Sequence, residues 1–304
     1  MSRMITDTQW LELLERRTKD PGAVATAYAA RRRPQSLLDE HGMMFLVAAD
    51  HPARGALRSG RDPMAMADRR SLLERLMVAL SHPDVAGVLG TPDIVEELLL
   101  LGALDDKVVI GSMNRGGLDG ARWTMDDRFT AYDAAGIEAC RLEGGKMLLR
   151  LDNDDPACAA TIEACARAVT ELAERRLIAM VEPLPYERQA DGSLVLQQDA
   201  QSLSRAIAIA SALGTTSAYT WLKTPACDDP EAVYRSTTLP CVVLGGVPGP
   251  DLDAQVASWG RTLRQPAVRG LVIGRTVLYP DDGDVFGTVD AAAKVLRAVT
   301  EGPQ

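Results

Sequence analysis

The chain has 304 residues, of which 46% are hydrophobic and 25% are charged, and this balance excludes a disordered, collagen-like or small disulfide-rich protein. Its net charge of -9, with no basic run longer than Arg31-Arg32-Arg33, argues against nucleic acid as a partner. No apolar run approaches the ~20 residues of a membrane-spanning helix, so we expect no membrane partner either.

The start of the chain is predicted to be helical. Apolar residues between positions 10 and 14 form a stripe at helical spacing, and Pro21-Gly22 ends this pattern before a second short helix. We therefore expect residues 1–34 to form a helical extension and residues 35–304 to form the main domain.

After Pro34, eight short apolar runs alternate with longer amphipathic segments of helical spacing. The runs are Met43–Ala49, Val85–Leu89, Val108–Ile110, Met147–Leu151, Leu177–Val181, Ala218–Leu222, Cys241–Leu244 and Gly270–Ile273. Runs rich in Val, Ile and Leu without alternation are typical of strands that are covered on both faces of a parallel sheet. Eight such strands interleaved with helices predict an α/β fold of the (β/α)8 TIM-barrel type. An open, doubly wound sheet is the alternative, although no GxGxxG motif follows the first run.

Barrels of this kind carry their active sites at the carboxyl ends of the strands, so the residues there are the candidates for chemistry. In chain order they are Asp50 and His51, then Asn114 and Arg115, Lys146 with Arg150 and Asp152, Glu182, Lys223, Gly245-Gly246 and Gly274-Arg275. Lysine is scarce in this chain, with five lysines among 33 basic residues. A lysine next to an apolar run therefore indicates chemistry more strongly than it would elsewhere.

Lys223 is the candidate nucleophile. Strand alternation places Tyr219, Trp221 and Lys223 on one face. Apolar surroundings lower the pKa of an ammonium group and so provide the free amine that Schiff-base formation requires. The alternative is a strand-end lysine that reaches solvent or pairs with Asp228.

Three further residues are candidates for proton transfer. Glu182 follows an apolar run and precedes Pro183, and a carboxyl group there with a raised pKa is suited to move protons. Lys146 either takes part in catalysis or forms an internal ion pair with Glu182 or Asp152. Asp50 is either a second acid–base group or a cap for the turn that follows it.

The glycines and the arginine after the last two runs predict a phosphate site. Gly245, Gly246, Gly274 and Arg275 lie where barrels often bind phosphate through backbone N–H groups and a helix N-terminus. Turn geometry for the glycines and a surface ion pair for the arginine are the alternatives.

The ordered set of these residues resembles the class I aldolases. It consists of Asp50, Lys146, Glu182-Pro183, Leu222-Lys223, Gly245-Gly246 and Gly274-Arg275, within roughly residues 43 to 280. The segments 146–152 and 181–186 are similar to those of tagatose-bisphosphate aldolases, and the likeness to fructose-bisphosphate aldolases is more distant. The sequence departs from the tagatose-type pattern at Asp50-His51-Pro52, in the loop 122–128 and at Arg150-Leu151.

The resemblance implies a metal-independent aldehyde-lyase that needs no cofactor. Lys223 is then the Schiff-base nucleophile, assisted by Glu182, Lys146 and Asp50. The substrate is expected to be a phosphorylated keto sugar or keto sugar acid, with dihydroxyacetone phosphate as a product, in carbohydrate catabolism; inositol catabolism is one option. The predicted substrate and phosphate contacts are Gly245, Gly246, Gly274, Arg275, Arg150 and Asn114.

Other questions stay open at this point. Arginines 115, 122 and 150 slightly favour an acidic or monophosphate substrate over a tagatose- or fructose-type bisphosphate. A non-catalytic, regulatory sugar-phosphate binder is the main alternative function, whereas a zinc aldolase is disfavoured because the chain has only three scattered histidines. Assembly into a homo-oligomer is left open.

The cysteine pattern and the first residues of the chain predict the cellular compartment of the protein. Cys140, Cys158, Cys165, Cys227 and Cys241 show neither CxxC spacing nor an even number, and the first 19 residues hold no apolar signal segment. We therefore expect reduced thiols and a cytoplasmic protein.

Overall fold

A closed barrel of eight parallel strands forms the centre of the computed structural model, which describes residues 4–246 and 251–300. The strands in this part of the chain are β1 (Met44–Ala48), β2 (Gly87–Gly90), β3 (Val108–Ser112), β4 (Gly144–Leu151), β5 (Ile178–Arg188), β6 (Leu194–Leu196), β7 (Thr220–Pro225), β8 (Cys241–Leu244) and β9 (Val268–Ile273). Neighbours follow the order β4-β3-β2-β1-β9-β8-β7-β5, and the pairing of β4 with β5 closes the barrel. All these pairs are parallel, so the predicted TIM barrel is confirmed.

Helices surround the outside of the barrel. They are α1 (Asp7–Lys19), α2 (Gly22–Ala30), α3 (Arg69–Leu80), α4 (Pro92–Leu100), α5 (Ala134–Ala139), α6 (Ala157–Glu174), α7 (Ala200–Ser211), α8 (Pro230–Tyr234), α9 (Leu252–Leu263), α10 (Arg275–Leu278) and α11 (Val285–Thr300). Several begin at side-chain caps, such as Asp68 before α3 and Asp199 before α7, because these carboxylates accept the free N–H groups of the first turn. None of the helices in the described ranges has the length and apolar character needed to span a membrane.

The strands are buried on both faces, which explains their continuous apolar sequences. In β1, Met44, Leu46 and Ala48 point into the barrel interior, while Phe45 and Val47 pack against the helices. The same alternation continues two residues beyond Ala48 and carries Asp50 into the upper interior. The interior therefore changes from apolar at its base to charged at its carboxyl end.

The N-terminal helices are tied to the outside and to the amino end of the barrel. Helix α2 packs against α4, and the Tyr28 hydroxyl hydrogen-bonds the Tyr132 hydroxyl at 2.7 Å. Below them, the buried Arg31 guanidinium lies 2.9 Å from the carboxylate of Glu143, which directly precedes β4. The Arg31–Glu143 pair lies at the amino end of the barrel, opposite the predicted site.

Two strand boundaries differ from the predictions in ways that matter for the site. Strand β4 begins at Gly144, so Lys146 lies inside the strand rather than at its start. Strand β5 continues to Arg188 and pairs in antiparallel register with β6. An Asp191-Gly192 turn, with Gly192 at a φ of +85°, joins the two strands, and this dipeptide is a typical hairpin signal.

Candidate active site

Four predicted residues converge in the upper interior of the barrel. Lys146 on β4, Glu182 on β5 and Lys223 on β7 occupy inward-facing positions, and Asp50 extends the inward face of β1. Their exposed fractions are between 1% and 6%. Burial of four ionisable groups is costly unless they are paired, so their mutual contacts decide how the site is charged.

The four side chains form one continuous chain of ion pairs. Glu182 binds Lys223 Nζ through Oε1 at 2.5 Å and binds Lys146 Nζ through Oε2. Lys146 Nζ also lies 3.2 Å from Asp50 Oδ2. The alternative pairing of Lys146 with Glu182 is thus observed together with a second contact to Asp50. Lys223 pairs with Glu182 rather than with Asp228.

Asp50 is held by further donors from β3 and the residues that follow it. Ser112 Oγ donates to Asp50 Oδ2 at 3.0 Å, and Arg115 Nη2 lies 3.1 Å from Oδ1. Arg115 Nε also donates to the backbone oxygen of Asp50 at 2.9 Å. Arg115 is therefore part of the charged centre, a role that its place after the third strand suggested only in general terms.

These contacts set the ionisation of the two carboxyl groups. Burial alone would raise the pKa of Glu182, but Lys146 and Lys223 outweigh it and lower the pKa to about 2. Burial is likewise outweighed at Asp50, where Arg115 and Lys146 hold the pKa well below its usual range. The raised pKa named as the condition for proton transfer by Glu182 is therefore not met, because two lysines face this carboxylate and favour its ionised form. Burial lowers the pKa of Lys146, with Asp50 and Glu182 opposing the shift.

The lowered carboxyl pKa values predict a pH dependence of stability. Asp50 and Glu182 bind protons more weakly when folded than when unfolded, so their stabilising contribution is complete above the unfolded pKa. For Glu182 it is lost as the pH falls from about 4.5 toward about 2. Urea unfolding of the wild type and of Glu182→Gln across this range is the check, and we expect a flatter dependence for the variant. Equal slopes for the two proteins would contradict this assignment.

A cavity of about 650 Å³ opens above the ion-pair chain. Its lining carries six cationic side chains, namely Arg54, Arg115, Lys146, Arg150, Lys223 and Arg275, and three carboxylates, namely Asp50, Glu182 and Asp228. The cavity is thus positively charged in a chain whose net charge is -9. A local excess of cations in a concave, partly desolvated site favours an anionic ligand.

The predicted phosphate residues line this same cavity. Gly245, Gly246, Gly274 and Arg275 come from the ends of β8 and β9. A Cβ atom on Gly245 would lie 2.4 Å from Ile273 Cγ2, and Gly246 has a φ of +74°, so both glycines also have structural reasons to be there. The partly buried Arg275 donates from Nη1 to the Arg58 backbone oxygen at 3.3 Å, and its buried Nε has no hydrogen-bond partner in the described structure. Much of its donor fork is therefore available to a ligand.

Two other predicted contacts have different surroundings. Asn114 does not line the cavity, and its amide hydrogen-bonds the backbone of Leu148 at 2.6 Å in both directions, which joins β3 to β4. Arg150 does line the cavity, but two of its nitrogens bind Asp127 at 2.7 and 2.8 Å. Arg122 is exposed and lies outside the cavity lining.

Several cavity residues were not predicted from the sequence. Arg54 follows β1, Tyr186 lies on the extended part of β5, and Leu196 and Gln198 come from or follow β6. The Asp191-Gly192 turn was the available signal for the hairpin that brings the last three to the mouth. Within residues 4–246 and 251–300, no group of three or more His, Cys, Asp or Glu side chains is arranged to hold a metal ion.

Comparisons with known proteins identify the family. The model of the Cgl0159-like family matches residues 42–293. The crystal structure of Cgl0159 from Corynebacterium glutamicum is 46% identical, with 97% of this chain and 99% of that chain covered and a TM-score of 0.94. The chain belongs to the Cgl0159-like family. None of the curated proteins with which it was compared matches it.

More distant structures share the fold of this Cgl0159-like protein. A Schiff-base-forming fructose-1,6-bisphosphate aldolase is 16% identical over 90% of this chain and 99% of its own, with a TM-score of 0.63. An archaeal fructose-1,6-bisphosphate aldolase, with its catalytic lysine covalently bound to the carbinolamine intermediate, gives the same identity and coverage and a TM-score of 0.64. The fold is thus that of class I fructose-bisphosphate aldolases, while the predicted closer likeness to tagatose-bisphosphate aldolases is not shown by these matches.

Proposed function

We propose that this protein is a class I aldolase that cleaves or forms a C–C bond through a Schiff base on Lys223. The contact that carries the proposal is the 2.5 Å pair of Lys223 Nζ with Glu182, buried in the barrel and open to a cationic cavity. A lysine with a partner that takes and returns its proton is what imine formation requires. The shared fold with Schiff-base aldolases supports the proposal without assigning the residues.

In the proposed reaction Glu182 manages the protons of imine formation. Its carboxylate takes a proton from the Lys223 ammonium, and the free amine attacks the carbonyl carbon of the substrate. After a proton shift from nitrogen to oxygen, Glu182 returns its proton to the carbinolamine hydroxyl, which leaves as water. The products of this stage are a positively charged iminium on Lys223 and an ionised Glu182, so protons and charge balance.

Lys146 and Asp50 complete the electrostatics of the centre. Lys146 contacts both carboxylates, so it keeps them ionised between turnovers and stabilises negative charge that develops on the carbonyl oxygen. Asp50 offsets the charge of Lys146 and Arg115, and its oxygens orient a substrate hydroxyl. This arrangement provides charge stabilisation without reorganisation at the moment of reaction.

The substrate in this proposal is a phosphorylated keto sugar or keto sugar acid. Its phosphate binds Arg275 and the backbone of Gly245 and Gly246, and dihydroxyacetone phosphate is the fragment held on Lys223. Arg150 lines the cavity from β4, across the barrel from β9, and Arg54, which follows β1, is close enough to Arg150 to interact with it electrostatically. A second acidic group at the far end of the substrate matches these two cations, which favours an acid such as a deoxy-keto acid phosphate over a neutral sugar.

Arg275→Ala tests the phosphate contact. Loss of a charge-assisted hydrogen bond worth ~1.5–3 kcal/mol corresponds to a rise in KM for phosphorylated substrate on the order of 10- to 100-fold. Steady-state kinetics with phosphorylated and unphosphorylated ketoses is the measurement, and only the former should respond. Arg58→Ala is the matched control, because its exposed side chain does not line the cavity. An unchanged KM in Arg275→Ala, or equal cleavage of unphosphorylated ketoses, would refute the phosphate contact.

A retro-aldol screen of ketose phosphates and keto acid phosphates tests the function as a whole. We expect release of dihydroxyacetone phosphate from at least one of them, measured by a coupled dehydrogenase assay. Tight binding of these compounds without turnover and without a borohydride-trapped adduct would instead support a regulatory sugar-phosphate binder.

A further inference from the structure

His51 lines the cavity directly beside the charged centre, yet the chemistry described so far does not use it. It follows Asp50, and its side chain is 20% exposed. Its Nδ1 atom lies 3.9 Å from Asp50 Oδ1, beyond hydrogen-bond distance, and is buried with no hydrogen-bond partner in the described structure. Because Nδ1 is closed to the cavity, the exposed Nε2 edge of the ring is the part that can meet a substrate hydroxyl.

The surroundings fix the ring in place and keep it neutral. A Cβ atom on Gly274 would lie 2.8 Å from His51 Cε1, so the absence of a side chain at Gly274 leaves room for the imidazole. Burial lowers the pKa of His51 well below its usual range; Asp50 opposes this shift, and Arg275, Arg115 and Lys223 reinforce it. His51 is therefore an unprotonated base at neutral pH, and it lies beside Gly274 of the candidate phosphate site.

Asp50 is poorly suited to accept a proton from a substrate hydroxyl. Its Oδ2 accepts from Ser112 and Lys146, and its Oδ1 faces Arg115. Both oxygens of Asp50 are thus occupied by protein donors, and both oxygens of Glu182 are occupied by Lys223 and Lys146, whereas the His51 ring accepts no hydrogen bond from the described residues.

We propose that His51 is a further catalytic residue, which takes the proton of the substrate hydroxyl during C–C cleavage and then gives it to the enamine carbon. This inference rests on the proposed function, because it concerns the step that follows the Schiff base on Lys223.

The step balances in protons and electrons. A ring nitrogen of neutral His51 accepts the proton of a substrate hydroxyl. This hydroxyl is attached to the carbon that lies across the scissile C–C bond from the iminium and becomes the aldehyde. The electron pair of that C–C bond moves into the iminium and forms an enamine, while the O–H electron pair forms the aldehyde carbonyl. The His51 imidazolium then gives its proton to the enamine carbon, which restores the iminium and the neutral ring, and water hydrolyses the iminium to free Lys223.

Substrate binding strengthens this base when it is needed. Burial lowers the pKa of His51, and the Arg275 guanidinium reinforces this shift. A phosphate on Arg275 offsets that positive charge, so the proton affinity of His51 increases when a phosphorylated substrate is bound. Proton acceptance is thereby coupled to occupation of the phosphate site.

Two partial reactions of dihydroxyacetone phosphate, Schiff-base formation and hydrogen exchange, distinguish the role of Lys223 from that of His51. In D2O the enzyme should exchange a hydrogen on the carbon next to the carbonyl, because the same base converts the iminium to the enamine and back. The measurements are deuterium incorporation by NMR and borohydride trapping by mass spectrometry, on the wild type, His51→Gln and His51→Asn. His41→Gln is the control, because His41 is exposed and lies outside the cavity.

We expect both His51 variants to trap the adduct within a few-fold of the wild type, while exchange falls ~10²–10⁴-fold. Retained trapping shows that the site is folded and that Lys223 still reacts. Exchange within a few-fold of the wild type, or a loss of trapping in both variants, would overturn the role of His51. Absence of trapping and exchange in the wild type would instead overturn the proposed function itself, and His51 with it.

Discussion

Lys223→Met is expected to abolish both turnover and borohydride trapping. Methionine keeps an unbranched apolar side chain at this buried position on β7 but has no amine to form an imine. We expect a loss in kcat on the order of 10⁶-fold, as seen when a covalent nucleophile is removed from other enzymes. Steady-state assays of the variant with the best substrate from the screen provide the measurement.

Lys107→Met is the matched control for this variant. Lys107 is a half-buried lysine directly before β3, where its Nζ donates to the Val85 backbone oxygen at 2.6 Å, and it does not line the cavity. We expect Lys107→Met to keep its turnover and its trapped adduct. Near wild-type turnover in Lys223→Met would show that another group carries the reaction.

Glu182→Gln is expected to have the second largest effect, on rate and on stability together. The amide cannot take a proton from Lys223, and removal of a positioned acid–base group typically costs ~10²–10⁴-fold in rate. The substitution also leaves Lys146 and Lys223 buried with only Asp50 to balance them, and breaking a buried ion pair typically costs ~3–5 kcal/mol. Pre-steady-state imine formation and urea unfolding measure the two effects separately.

Glu143→Gln distinguishes the catalytic effect from the structural one. Glu143 is a buried carboxylate at the amino end of the barrel, where it pairs with Arg31 and Arg33. Its substitution should lower stability and leave kcat per folded molecule unchanged. A kcat loss below about tenfold in Glu182→Gln would count against the role of Glu182 in proton transfer.

The barrel and the convergence of the site were predictable for a local reason. Strand–helix alternation is encoded in short stretches, such as the apolar run of β1 followed by the amphipathic segment of α3. In a parallel barrel all carboxyl ends of the strands meet at one mouth, so the order of Asp50, Lys146, Glu182 and Lys223 along the chain was enough to bring them together.

The charges and partners of the site depend on distances that sequence does not contain. The pKa of Glu182 depends on two lysines from neighbouring strands, and the sequence could not show whether burial or these lysines would decide its direction. Asn114 has the residue type of a ligand contact, but its amide bridges β3 and β4 instead. Whether a polar side chain binds a ligand or the backbone depends on its three-dimensional surroundings, which the sequence does not show.

The roles of the cavity-wall residues were also not predictable, because they depend on residues that are distant in the sequence. His51 and Arg115 were visible at predicted strand ends, but their roles follow from the donors that already occupy Asp50. The hairpin of β5 and β6 brings Tyr186 and Leu196 to the mouth only because β5 continues beyond the barrel. An apolar run that ends at Val181 gives no sign of this continuation.

Borohydride reduction of the wild-type enzyme with dihydroxyacetone phosphate, followed by peptide mass spectrometry, tests the central claim most directly. The proposed chemistry predicts a stable covalent adduct whose mass lies on Lys223, and no adduct when borohydride or the ketose phosphate is omitted. An adduct located on Lys146 or another lysine, or no adduct under conditions in which the enzyme turns over, would contradict the assignment of Lys223 as the Schiff-base residue.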